Sequence, residues 1–252
     1  MKSTALFILF VTFLAGPTAV QAVSVQSTTS TYVSLRQCVA GETVCDSIDR
    51  SHRRAVDGMP GSRDAQASLK DPEFGGAIGS AQLTGEPGSA KISVSANSLP
   101  AKRNASTGYV TQRYTNSSDR RQTLTFTGDL TYDQTVPDEN SKFPADGGGR
   151  TGAFAEMELF SLETDSIEAG TSAEENFEVF MEGPPPGYQT LDGARTDGTM
   201  SNVTGQGNEE FSMSAVLEAG DSLWMFVLLQ AISANGAVVE ATLDTELTIV
   251  AE

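Results

Sequence analysis

The chain has 252 residues, with 33 acidic and 16 basic side chains, a net charge of −17 and a single histidine. A surface that acidic repels the phosphates of nucleic acid and of anionic lipid, which excludes partners of either kind. With 38% hydrophobic residues, the length suits one large domain with its own core.

Residues 1–22 read as a cleaved signal peptide. Lys2 gives the positive start, residues 5–15 are nearly all apolar, and Val20-Gln21-Ala22 puts small or tolerated side chains where cleavage occurs. The apolar run falls short of the roughly 20 residues that span a bilayer. No cysteine follows it for lipid attachment and no twin arginine precedes it, so the expectation is export in the unfolded state and no membrane anchor after cleavage. Residues 23–252 are then expected as a single domain that is secreted, at the cell surface or, alternatively, in the periplasm. Residues 23–35, rich in Val, Ser and Thr, read as a strand. Pairing within the chain's own sheet is favoured over addition to a neighbour's edge, because contacts inside a chain carry no association cost.

Cys38 and Cys45, with six residues between them, are expected to form a disulfide in an oxidising compartment. A thioredoxin-type redox pair needs two intervening residues, and a metal site would need more ligands than His52 can add. Closing so short a loop removes about 2.5 kcal/mol of unfolded-state entropy, enough to pin a turn. Residues 46–88 are rich in Gly, Ser, Ala, Asp and Arg, hold few large apolar side chains, and are expected as a long irregular excursion. His52, with Asp49, Arg50, Arg53 and Arg54 around it, would then lie on a poor scaffold for a Ser-His-Asp triad. Phe74-Gly75-Gly76-Ala77-Ile78-Gly79 lacks the lysine of a phosphate loop, and no Gly-x-Ser-x-Gly elbow occurs.

From residue 90 the period is two. Ala90, Ile92, Val94 and Ala96 alternate with Lys91, Ser93 and Ser95. Val110 and Tyr114 lead into the turn cluster Asn116-Ser117-Ser118-Asp119, and Leu124, Phe126, Leu130 and Tyr132 share a parity in which Gly128 marks a bulge or a close approach. Residues 153–162, and Phe177, Val179 and Met181, give two more strands. Phe211, Met213, Ala215 and Leu217 alternate, residues 218–221 turn, and residues 223–231 are apolar except for Gln230, as in a strand buried on both faces. Asn235-Gly236 signals a hairpin. Beyond it Ala237, Val239, Ala241, Leu243, Leu247 and Ile249 oppose Glu240, Thr242, Asp244, Glu246 and Thr248. The expected fold is all-β: an antiparallel β-sandwich or jelly roll of about eight to ten strands, with no helix after the signal segment.

Charge divides the chain. Residues 23–150 balance at 14 basic and 14 acidic, whereas residues 151–252 hold Arg195 against 19 acids. Acidic loops supply the oxygens that calcium takes, and the candidates are Asp138, Glu139, Asn140 and Asp146 in one stretch and Asp192 and Asp197 in another. Neither has the spacing of a helix-loop-helix site, and Asp with Gly is also ordinary turn chemistry. With 33 acids, a glycosidase-like carboxylate pair would arise by chance, so it marks nothing. Asn104-Ala105-Ser106, Asn116-Ser117-Ser118 and Asn202-Val203-Thr204 fit the N-glycosylation pattern, which matters only in a eukaryotic secretory route.

Gln112-Arg113-Tyr114-Thr115-Asn116, residues 124–132, Leu217-Glu218-Ala219-Gly220-Asp221-Ser222-Leu223-Trp224, Ala234-Asn235-Gly236 and residues 239–247 resemble bacterial secreted β-sandwich proteins. Many of that group carry an exosortase-type sorting tail with a Pro-Glu-Pro motif, which residues up to Glu252 do not show. The resemblance covers about residues 90–250 and implies a surface or matrix protein, released or assembled outside the cell.

These features lead to a secreted, noncatalytic structural protein of a surface layer or matrix, self-assembling through its unlike charged parts. The alternative is an extracellular carbohydrate- or calcium-binding module. For carbohydrate, Trp224 reads as core and Tyr109, Tyr114, Tyr132 and Tyr188 remain as platforms. An unidentified hydrolase comes third.

Overall fold

A computed structural model describes residues 25–39, 47–57, 62–84, 89–137, 151–161, 189–196 and 203–252. They form twelve strands: β1 (Val25–Val39), β2 (Ser47–Asp57), β3 (Ser62–Asp71), β4 (Gly75–Thr84), β5 (Ala90–Ser98), β6 (Lys102–Asn116), β7 (Gln122–Thr135), β8 (Gly152–Ser161), β9 (Gln189–Thr196), β10 (Gly205–Leu217), β11 (Ser222–Ala234) and β12 (Val238–Ala251). Sheet A runs β2-β1-β6-β11-β8-β9 and sheet B runs β10-β7-β12-β5-β4-β3. All ten strand pairs are antiparallel. From β5 onward the order is that of a jelly roll, with β5-β12-β7-β10 facing β6-β11-β8-β9. The first four strands widen it. The β1–β2 pair extends sheet A beyond β6, and β3–β4 extends sheet B beyond β5.

The expected sandwich is therefore present, with more strands than the eight to ten read from the sequence. The surplus lies in the supposed excursion. Residues 46–88 carry β2, β3 and β4, and on β3 and β4 the inward side chains are mostly small: Ala65, Ala67, Ala77 and Ala81 are buried, with Leu83 beside them. The alternation is there, written in alanine and glycine, and it lets the sheets come close. A Cβ on Gly108 of β6 would meet Ile92 Cγ2 of β5 at 2.6 Å. Residues 23–35 behave as expected where described, since β1 pairs with β6 along its whole length and with β2 on its other side. At Gly128 the register is unbroken towards both β10 and β12, so the glycine marks a close approach and no bulge. A Cβ there would meet Phe211 Cε2 at 2.5 Å. The expected strand at Phe177, Val179 and Met181 lies outside the described residues.

The two sheets differ on their outer faces. On β12 the odd residues from Val239 to Leu243 are buried and the even ones are exposed or half-buried, so sheet B has one wet face. The apolar run of β11 is buried on both sides. Leu223, Met225, Val227 and Leu229 join the core between the sheets. Trp224, Phe226, Leu228 and Ile232 point the other way and are still buried, with Trp224 stacked on Phe160 (centroids 6.5 Å apart, 7° between planes) and Phe226 5.8 Å from Tyr109.

The Asn-Gly turn forms with both residues in the left-handed region (φ 53° at Asn235, 87° at Gly236), and Ala237 N donates to Ala234 O at 3.2 Å. It does not close a hairpin within a sheet, because β11 pairs with β6 and β8 while β12 pairs with β5 and β7. The turns from β6 to β7 and from β10 to β11 are arches of the same kind. Two buried asparagines tie the arches down. Asn116 Nδ2 donates to Arg120 O (2.7 Å), Leu217 O (3.1 Å) and Glu218 O (3.1 Å), and its Oδ1 accepts from Ser118 N (3.0 Å) and Oγ (2.7 Å). At the opposite end, Asn104 Nδ2 donates to Phe74 O (3.1 Å) and to Asn97 O, and so joins the β3–β4 turn to β5 and β6.

Candidate functional site

The largest concavity described on the wet face of sheet B is a groove of about 830 Å³ near the β3–β4 turn. Its floor and walls come from alternate residues of four adjacent strands: Ser68 and Lys70 on β3, Ile78 on β4, Ser95 and Asn97 on β5, and Val238 and Glu240 on β12. Asp71 and Leu99 close its end. Ile78, Leu99 and Val238 are three of the seven exposed large hydrophobic residues among those described, and all three line this one groove. Ordinary surface apolar residues are scattered singly, so convergence is the informative part. Around them sit hydroxyl, amide, ammonium and carboxylate groups, and the lining holds no histidine or cysteine. The walls are braced, because Asn97 Oδ1 accepts the Gly76 N–H and Asp71 Oδ1 accepts the Glu73 N–H at 2.7 Å.

Sequence reasoning missed this site. Its signal was an apolar residue on the polar parity: Ile78 among Gly76, Ser80 and Gln82, and Val238 among Glu240, Thr242 and Asp244.

The residues singled out from the sequence have other fates. Trp224, Tyr109 and Tyr114 are buried, so none is an exposed platform. Tyr114 packs edge-on against Phe126 at 5.1 Å and donates to Gln112 Oε1 at 2.5 Å. Tyr132 is half-buried on the core side of β7, and Tyr188 lies outside the described residues. Of the calcium candidates, Asp138, Glu139, Asn140, Asp146 and Asp197 lie outside the described residues. Asp192 sits in β9 instead of the turn its Asp-Gly neighbours suggested, and its Oδ2 accepts the Ser214 N–H of β10 at 3.0 Å. It thus links the edge of one sheet to the edge of the other. Among the described residues no three His, Cys, Asp or Glu side chains converge as a metal site would require. Cys38 lies on β1 opposite Arg103, and Cys45 is outside the described residues. Asn104 and Asn116 have no exposed surface, so two of the three glycosylation patterns belong to the core. Asn202 is outside the described residues. No helix among the described residues is long and apolar enough to cross a membrane.

No family model and no curated protein matches the chain. Among solved structures it is similar to a carbohydrate-binding module of the β-sandwich superfamily, from work on the promiscuous specificity of such modules, at 10% identity over 88% of this chain and 84% of that one with a TM-score of 0.19. A likeness at that TM-score carries no argument about ligands.

Proposed function

We propose that the chain is an exported, noncatalytic β-sandwich protein of the extracellular surface that holds a polysaccharide segment in the groove on sheet B. The leader-like residues 1–22 support export, and so does the resemblance of residues 90–250 to secreted bacterial sandwich proteins. In that compartment Cys38 and Cys45 are joined. The observation that carries the reading is the groove, where Ile78, Leu99 and Val238 meet inside a ring of Ser68, Lys70, Asp71, Ser95, Asn97 and Glu240. A pyranose offers the same pairing, with C–H faces for the aliphatic floor and hydroxyls for the polar ring, and sites of mixed lining are the ordinary ligand sites of rigid folds. Without an aromatic ring in the lining, affinity rests on several sugar units in a row.

Glycan-array binding followed by calorimetry on residues 23–252 tests this. Ile78→Thr with Val238→Thr keeps the β-branched shape and removes the apolar floor. The double variant is expected to bind about tenfold or more weaker, a loss of about 1.4 kcal/mol, with an unchanged fold. No binding by the parent protein to any neutral or acidic polysaccharide, or equal binding by the double variant, would refute the assignment.

A further inference from the structure

We propose that Arg36 and Arg103 form an oxyanion site on the outer face of sheet A, and that its occupant is a carboxylate from the wet face of sheet B on a second copy of the chain. On the β1–β6 ladder Arg36 lies opposite Ala105 and Arg103 opposite Cys38. The two arginines are therefore diagonal neighbours on one face, a separation of about 7–8 Å that long side chains bridge. Arg36 is exposed and Arg103 half-buried. Arg103 Nε is buried without a hydrogen-bond partner. Neither guanidinium has an ion pair among the described residues. Burial, and then the Arg36 charge beside it, push the Arg103 pKa down, the mark of a cation held without its counter-ion.

The chain has twice as many acids as bases, so a carboxylate for this pair was not scarce. Three of the described carboxylates pair with other cations: Asp244 with Lys91 at 3.3 Å, and Glu218 and Glu252 with Arg121 at 3.7 and 3.4 Å. Two adjacent guanidinium forks suit a planar oxyanion supplied from outside.

The far side of the sandwich supplies that anion. Glu210 of β10, Asp129 of β7 and Asp244 of β12 stand directly abreast, all exposed. With Glu246 they ring a recess of about 610 Å³. Lys91 offsets Asp244, but Glu210 and Asp129 face each other as like charges on paired strands, which destabilises a sheet, and cations from a neighbour would relieve that strain. The basic pair and the acidic row lie on opposite outer faces of one molecule, so the contact is head-to-tail and propagates as an open filament. Neither patch belongs to the groove lining, so the inference stands apart from the polysaccharide reading.

Sedimentation equilibrium of residues 23–252 at about 50 mM and about 500 mM salt is the test, since screening weakens the contact. The expected result is association at low salt and monomer at high salt. Arg36→Glu with Arg103→Glu, and Glu210→Arg with Asp129→Arg, should each abolish association alone and restore it when mixed, because each variant keeps the face that the other needs. Arg36→Gln with Arg103→Gln, a milder pair whose fold is checked by circular dichroism, should weaken association about tenfold or more. A parent protein that stays monomeric at low salt overturns the proposal. So does a mixture that fails to associate, or unaltered association in the glutamine pair. Sulfate titrated into a monomeric parent, binding there and lost in the glutamine pair, would assign the site to a free oxyanion and likewise overturn the second copy as occupant.

Discussion

Replacing Asn116 by alanine should be among the most damaging single changes on the chain, although the residue sits beside a turn. Its side chain makes five hydrogen bonds, to three carbonyls and to the amide and hydroxyl of Ser118. The bond to Leu217 O is fully buried and the others partly so. A buried carbonyl left unsatisfied costs about 1–3 kcal/mol, and each partly solvated bond lost costs about 0.5–1 kcal/mol. The sum is about 3–7 kcal/mol. Urea unfolding followed by tryptophan fluorescence would read this as a midpoint lowered by about 1–2 M, taking a slope of about 3 kcal/mol/M for a domain this large. Asn116→Asp separates the donor role from the acceptor role. It keeps both accepted bonds but turns a carboxylate oxygen towards three carbonyls, which raises the aspartate pKa in the folded state. The native protein then holds a proton that the unfolded chain releases, so this variant should be most stable below the ordinary carboxyl range and lose stability as pH rises through it. A loss under about 1 kcal/mol for the alanine variant, or an aspartate variant indifferent to pH, would refute the latch.

Two further changes probe the sheets. Gly128→Ala places a methyl group against the Phe211 ring and should cost about 1–3 kcal/mol in chemical denaturation. In a Phe211→Leu background most of that loss should vanish, and equal losses in both backgrounds would deny the contact. Asp192→Ala frees the Ser214 amide and should speed its hydrogen exchange about tenfold while global stability moves by about 1 kcal/mol or less. Unchanged exchange at Ser214 would show that the β9–β10 link is not made in solution.

Where side chains were large, the sequence displayed its strands openly. β11 and β12 could be read directly, because nine positions apolar except for Gln230 and a dozen of alternation broken only at Val238 and Thr245 have one structural meaning each. β3 and β4 could not, because Ala65, Ala67, Ala77 and Ala81 carry the alternation at a volume that also suits loops. β9 was hidden by Asp192-Gly193, a pair that turns more often than it extends. Asn235-Gly236 announced a tight turn correctly, but two positive φ angles say nothing about whether the next strand returns to the same sheet. That choice depends on partners far along the chain: β6 and β8 for β11, β5 and β7 for β12. The groove was illegible for the same reason, since four strands from three stretches of sequence must be registered before Ile78 and Val238 become neighbours.

The place of β12 governs when this molecule becomes whole. It comes after the other eleven described strands in the chain, yet it lies in the interior of sheet B, between β7 and β5. Until residues 238–251 arrive, β10-β7 and β5-β4-β3 have no common neighbour, and half of the sandwich is two unconnected ribbons. A chain leaving the ribosome or a translocation channel amino end first therefore cannot complete its second layer before residues 238–251 have emerged, and it stays threadable until then. Removal of residues 238–252 would take away the strand that both ribbons wait for.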